Sequence, residues 1–233
     1  MPQPPRMILD GAVYHVLTRG NNGQPVFHAE ADYQRYLQLV ATHASRHAIK
    51  VYHFALMPTH VHLVLEVTHG PTLSVAMHDI SLLYALFHKR RYVYRGHLWQ
   101  GRFKSLLIHQ ERYLMACGRY VELNPVKAGL VHDPAEYAWS SYRTYAHGHD
   151  NTLIALNPLY ETLGATPRER QEYYRQFIQD GLRQSAAPPS HAAALFSAPG
   201  LGRKRGRPRK PVVATPAAQE KGAAPIFPIG RRP

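Results

Sequence analysis

His60-Val61-His62 lies inside the run MPTHVHLVLEV, and Tyr120 precedes Asn124 by four residues in RYVELNP. These two short segments hold the residue types and spacings best suited to chemistry. In a strand, alternate side chains share a face, so His60 and His62 point one way while Val61, Leu63 and Leu65 point the other. Two imidazoles about 6–7 Å apart along one strand can converge on a divalent metal. The same letters also read as two half-buried histidines on a sheet face, in a chain that has 16. On a helix, residues four apart are neighbours, so Tyr120 and Asn124 project together. Asn124 offers an amide oxygen, a hard ligand suited to Mg²⁺ or Mn²⁺, and Tyr120 offers a phenolate nucleophile one turn away. The alternative is a packed face of Tyr113, Ala116 and Tyr120, with Asn124 capping the helix before Pro125. Glu66 shares the face of the histidines by strand parity. It is a candidate to orient a ligand histidine from behind, or else a solvated edge carboxylate.

The elements that would carry these groups alternate along the chain. Residues 12–19 (AVYHVLTR) are rich in β-branched and aromatic residues and stop at the Gly20-Asn21-Asn22-Gly23 turn cluster, which predicts a strand. Residues 32–47 space Tyr33, Tyr36, Leu37, Val40, Ala41 and Ala44 as a helix, with Asp32 as its N-cap. Residues 49–56 and 60–67 flank Met57-Pro58-Thr59. Proline is excluded from a central strand, so the pair reads as antiparallel strands joined by a tight connection. A helix over 72–87, a strand over 102–109 and a helix over 111–123 follow. Strand–helix–strand–strand–helix–strand, then a helix, is an α+β, ferredoxin-like split βαβ arrangement with an antiparallel sheet. It places the histidine pair on a central strand and the tyrosine on a following helix.

The chain has 233 residues, 45% of them hydrophobic, and carries a net charge of +13. Such a composition supports a real core and excludes wholesale disorder. No run of eighteen apolar residues is present, so no membrane span is expected. Cys117, the single cysteine, cannot form an internal disulfide or a cysteine zinc cluster. The N-terminus lacks an apolar signal region, and a cytoplasmic location is expected. The charge is uneven. From Arg203 onward there are nine Lys/Arg and one Glu, while residues 186–202 carry no charged side chain. Residues 186–233 also hold nine of the 19 prolines, which predicts a flexible tail beyond a folded domain over 1–185. A polyanion, by default nucleic acid, is the partner this charge suits.

The histidine pair in a strand, followed roughly sixty residues later by a helical Tyr-x-x-x-Asn, resembles the single-tyrosine HUH transposases. LMPTHVHLVLE, LWQGRFKS, RYVELNPVKAGLV and the WSSY of Trp139–Tyr142 are more specifically similar to the REP-associated tyrosine transposases, relatives of the insertion-sequence enzymes. The similarity spans residues 6–184. It implies cutting and joining of single-stranded DNA at palindromic hairpin ends through a covalent 5′-phosphotyrosine. His60, His62 and Asn124 would be the metal ligands, for Mg²⁺ or Mn²⁺. Asn124 stands where insertion-sequence relatives usually have glutamine, as in the REP-associated branch. Tyr120 would be the nucleophile, with Tyr113 as its rival.

Trp99 and Phe103 are candidates to stack on unpaired bases, and Arg102 and Lys104 to contact phosphates. In the tail, Arg205-Gly206-Arg207-Pro208 resembles an AT-hook, whose arginines favour a narrow A·T minor groove. A non-specific DNA tether acting by counterion release is the plainer reading. The resemblance favours a monomer over a dimer. Two other functions fit the same residues: a metal-dependent hydrolytic nuclease that uses water in place of Tyr120, and a non-catalytic DNA-binding regulator.

Overall fold

β1 (Ala12–Arg19) turns Tyr14 and Val16 into one hydrophobic core and His15 to the opposite side. The computed structural model describes residues 7–109 and 111–185. The proline-rich tail, with Arg205 and Arg207, lies outside the described residues. β2 (Ile49–Met57) and β3 (His60–Val67) are joined through Pro58-Thr59, and β4 (Lys104–Ile108) completes a sheet of order β2-β3-β1-β4. Every neighbouring pair is antiparallel, so the topology is the expected ferredoxin-like split βαβ. β3, which carries the histidines, is an inner strand between β1 and β2.

α1 (Glu30–Arg46) and α2 (Gly70–Tyr92) cover one face. Their Tyr36, Leu39, Val40, Leu73, Met77, Ile80 and Tyr84 pack with Val61, Leu63 and Leu65 of β3. At roughly 1.5–3 kcal/mol for each large apolar side chain buried, this layer is the main stabilising term. Asp32 is not the N-cap of α1, which begins two residues earlier. It sits in the first turn, where its carboxylate accepts the backbone N–H groups of His28 (2.8 Å) and Ala29 (3.0 Å) and the hydroxyl of Tyr92. Burial alone would raise its pKa, but these hydrogen bonds and Arg91 hold it below the usual carboxylate range.

α3 (Glu111–Glu122) crosses the other face and runs into the single-turn α4 (Asn124–Lys127). α5 (Tyr142–His147), α6 (Pro158–Glu161) and α7 (Pro167–Ser185) extend this layer through a second core of Leu123, Tyr142, Tyr145, Tyr160, Tyr174 and Ile178. A bulge in β2 serves that layer. The register shifts between Val51 and His53, so Val51 faces the first core while His53 turns to α3. Gly118 lets α3 approach, since a β-carbon there would lie 2.6 Å from the His53 ring. Among the described residues, no helix is long and apolar enough to cross a membrane.

Candidate active site

Register fixes what surrounds the histidines. His62 stands opposite Leu17 of β1 and Ala55 of β2, and His60 opposite Arg19 and Met57, all on the face that α3 crosses. His62 is 3% exposed. Its Nδ1 lies 2.8 Å from Nε2 of His15, and the two rings stack at 5.1 Å. Burial holds the His62 pKa well below the usual value, and the nearby His15 and His60 add to this. Burial likewise pushes His15 down to about 4, and burial with the neighbouring Arg19 pushes His60 down to about 4. All three imidazoles are therefore neutral at physiological pH.

A neutral imidazole has one N–H and one lone pair. When Nδ1 of His62 donates to His15, its Nε2 presents the lone pair, and that buried Nε2 has no hydrogen-bond partner among the described residues. Nδ1 of His60 lies 2.9 Å from the Thr59 hydroxyl, which leaves its Nε2 as the second donor atom. The two rings are 4.9 Å apart, nearly perpendicular. An unsatisfied buried nitrogen costs about 1–3 kcal/mol, whereas ligation to a cation would satisfy it. Two neutral imidazoles, each anchored through one nitrogen, fit a divalent metal.

Tyr120, on the last turn of α3, meets this pair. Its ring is edge-on to His62 at 5.8 Å and to His15 at 5.9 Å. Burial raises its pKa, with Cys117 adding to the rise, while a side-chain hydrogen bond from Asn124 opposes it. Lys127 places its ammonium 5.4 Å from the ring centroid, and its own pKa is lowered by burial and by Arg119. The Asn124 amide nitrogen donates to the carbonyls of Tyr120 (2.8 Å) and Val121 (3.4 Å). The side chain thus caps α3 through its nitrogen, and its oxygen takes no part in those two bonds. Tyr113 lies two turns earlier and is exposed.

Other expected site residues are placed differently. Glu66 does not support a ligand histidine. Lys50 bonds one of its oxygens at 2.8 Å and the Tyr52 hydroxyl bonds the other, tying β2 to β3. The support behind His62 is His15, which sequence reasoning missed. Parity in AVYHVLTR puts His15 on the face away from Tyr14 and Val16, but only the pairing register sets it against His62. Trp99 and Phe103 pack chiefly with the core. Phe103 is buried, and Trp99 packs against Tyr84 and Tyr36 while its indole N–H bonds the Ser81 carbonyl at 2.9 Å. Their large apolar surfaces are spent on the α1/α2 core. Lys104 is exposed and pairs with Leu17 on the histidine face. Arg102 lines a cavity of about 810 Å³ beside α2.

A buried network holds α3 in place. The Glu122 carboxyl accepts from His53 Nδ1 at 3.0 Å, from Ser141 Oγ at 2.6 Å and from the Tyr174 hydroxyl at 2.7 Å. It gathers β2, α3, the start of α5 and α7 at one point, two residues from Tyr120.

The family model for IS200-like transposases matches residues 9–124, about half of the chain, including His15, His60, His62, Tyr120 and Asn124. No curated protein matches the sequence. Among solved structures, the REP-associated tyrosine transposase bound to a REP hairpin is similar, with a TM-score of 0.53 and 18% identity over 66% of this chain and 92% of that one. A candidate transposase from Deinococcus radiodurans is also 18% identical, over 52% of this chain and 96% of that one, with a TM-score of 0.36. Sequence motif and sheet topology thus lead to one assignment: the chain belongs to the IS200-like transposases, a family of DNA-cleaving enzymes.

Proposed function

We propose that this protein cleaves and rejoins single-stranded DNA at hairpin ends, as a REP-associated transposase, with Tyr120 as its nucleophile. The observation that carries this reading is the edge-on approach of the Tyr120 ring to His62, whose buried Nε2 has no hydrogen-bond partner among the described residues. His60, His62 and Asn124 would hold Mg²⁺ or Mn²⁺. Bound there, the cation supplies charge neutralisation at the scissile phosphate and orients it for in-line attack.

The chain's own residues do the rest. A phenol of ordinary pKa near 10 is mostly protonated at neutral pH, and burial raises Tyr120 further. The hydrogen bond from Asn124 and the ammonium of Lys127 over the ring both favour the phenolate. The Tyr120 oxygen forms a bond to phosphorus, the P–O3′ bond breaks, and the departing 3′ oxygen ends as a hydroxyl carrying the proton that the phenol gave up. The product is a 5′-phosphotyrosine. A second 3′-hydroxyl reverses the step and joins strands without ATP. Arg19 and Lys104, which share the histidine face by strand register, supply positive charge for the backbone of a bound strand. His15 fixes the ring and tautomer of His62. We favour a monomer as the working unit.

The test is a library of single-stranded hairpins with Mn²⁺, followed by mass spectrometry. The expected result is a nucleotide adduct on Tyr120, with cleavage lost on adding EDTA. Tyr120→Phe should abolish both adduct and cleavage. Cleavage that survives Tyr120→Phe would instead identify a water-using nuclease, and tight EDTA-insensitive binding with no cut strand a regulator.

A further inference from the structure

The α1/α2 face, on the side of the sheet away from Tyr120, carries a second group of ligating side chains. His43 and His47 are one turn apart at the end of α1, and their rings lie nearly parallel with centroids 6.2 Å apart. Asp79 reaches them from α2. One donor atom from each of the three lies within 4.8 Å of the other two. His43 is 3% exposed, and its Nδ1 has no hydrogen-bond partner among the described residues. The same holds for Nε2 of His47, which is also shielded from solvent.

The spacing is informative. Oδ2 of Asp79 stands 3.8 Å from Nδ1 of His43. That is too long for a hydrogen bond, yet close to the roughly 3.4 Å that separates two ligands each about 2.1 Å from a tetrahedral zinc. The other carboxylate oxygen accepts from Nδ1 of His78 at 3.0 Å, which anchors Asp79 as an outer partner anchors a metal-binding carboxylate. An unpartnered imidazole nitrogen beside a carboxylate, with a second on the neighbouring His47, is costly as it stands, and a shared cation would offset that cost.

We propose that His43, His47 and Asp79 form a second metal site, separate from the His60–His62 pair, that takes a zinc-class divalent cation. Two imidazoles and one carboxylate suit Zn²⁺ or Co²⁺, whereas Mg²⁺ demands oxygen donors in octahedral array. His47 and Asp79 are only half-buried, so the fourth position opens to solvent. Closing the three donors onto an ion asks for about 1 Å of side-chain movement at the end of α1. Arg46, whose charge reaches His43, opposes the cation, and the Asp79 carboxylate offsets it. The ion would pin the C-terminal end of α1 to α2 behind the sheet. Its role is structural.

Cobalt titration of the full chain tests this without reference to cleavage. In a His60→Ala background, which weakens the other site, one equivalent of Co²⁺ should give the visible absorption of four-coordinate cobalt. Zn²⁺ should displace that cobalt and raise Tm by several degrees. Adding His47→Gln and Asp79→Asn, both at half-buried positions, should remove the absorption and the zinc-dependent rise while the metal-free Tm stays close to the parent. In an otherwise wild-type chain the same two substitutions should lower bound Zn²⁺ from two equivalents to one and leave strand cleavage intact. Unchanged cobalt absorption or zinc stoichiometry in the His47→Gln/Asp79→Asn chain would overturn the site, as would a His60→Ala chain that binds no cobalt.

Discussion

His53 and His62 are buried on the same face of the sheet, on adjacent strands, and differ in how they are satisfied. His53 gives Nδ1 to Glu122, has Nε2 3.4 Å from the Asn157 amide and lies flat against Tyr145 at 4.4 Å. Every polar atom has a partner. His62 shares a hydrogen bond with His15 through Nδ1 and leaves Nε2 with nothing among the described residues. Burial alone therefore does not mark a functional histidine. A finished hydrogen-bond inventory marks a strut, and the unfinished one at His62 is what the proposed ligand role would complete.

Removing the centre of the strut should have the largest effect on folding. Glu122→Ala takes a partner from His53, Ser141 and Tyr174 together, and breaking such a buried network costs about 3–5 kcal/mol. Chemical denaturation should show this as a lower midpoint, and any cleavage by the folded fraction should persist. His62→Ala should do the reverse. It removes an unsatisfied nitrogen along with a hydrogen bond to His15, so stability should move by no more than about 1–2 kcal/mol. Metal-dependent cleavage should fall by more than about 100-fold, beyond the loss expected for an outer partner of a ligand. Equal stability losses in the two variants would erase the distinction drawn here.

Much of this contrast was legible in the sequence, and the reasons for the rest are physical. Alternation placed His60 and His62 on one face, and helical spacing placed Tyr120 beside Asn124, because both rest on local periodicity. The element order gave the ferredoxin-like sheet for the same reason. His15 was not legible, since it meets His62 only through the β1–β3 register, a relation between residues 47 apart. Nor was His53, whose orientation depends on a bulge that reverses strand parity midway. The core packing of Trp99 and Phe103 was not legible either, because an aromatic beside basic residues reads as a stacking surface until its core partners are known.

Acid should act on the histidines around His62. His15 and His60 have pKa values of about 4 in the folded chain against an ordinary 6.5. Between those values the unfolded state binds protons that the folded state refuses, so folding stability should fall as pH drops from about 6.5 to about 4, and further below as His62 and the hydrogen-bonded Asp32 carboxyl take up protons. The metal-free chain is the one to measure, by Tm against pH. His15→Gln combined with His60→Gln should reduce the slope in that window, the rest coming from His62 and the other buried histidines. Glu122→Gln should lower the whole curve and leave the slope from these two histidines in place.

Gly118→Ala is the smallest perturbation and tests whether the strut positions the reactive side. Alanine is favoured over glycine within a helix by about 1 kcal/mol, so propensity alone predicts a stabilised α3. The added β-carbon would lie 2.6–2.8 Å from three atoms of the His53 ring. That ring is hydrogen-bonded at Nδ1 and covered by Tyr145, so it has nowhere to go, and overpacking of this kind costs about 1–3 kcal/mol. Overpacking should win by about 1 kcal/mol, with α3 displaced away from β2. Tyr120 lies two residues further along the same helix, and its edge-on fit to His62 should loosen with that displacement. Cleavage should then drop in kcat more than stability alone accounts for. A Gly118→Ala chain that is more stable and fully active would show that α3 does not depend on its close approach to His53.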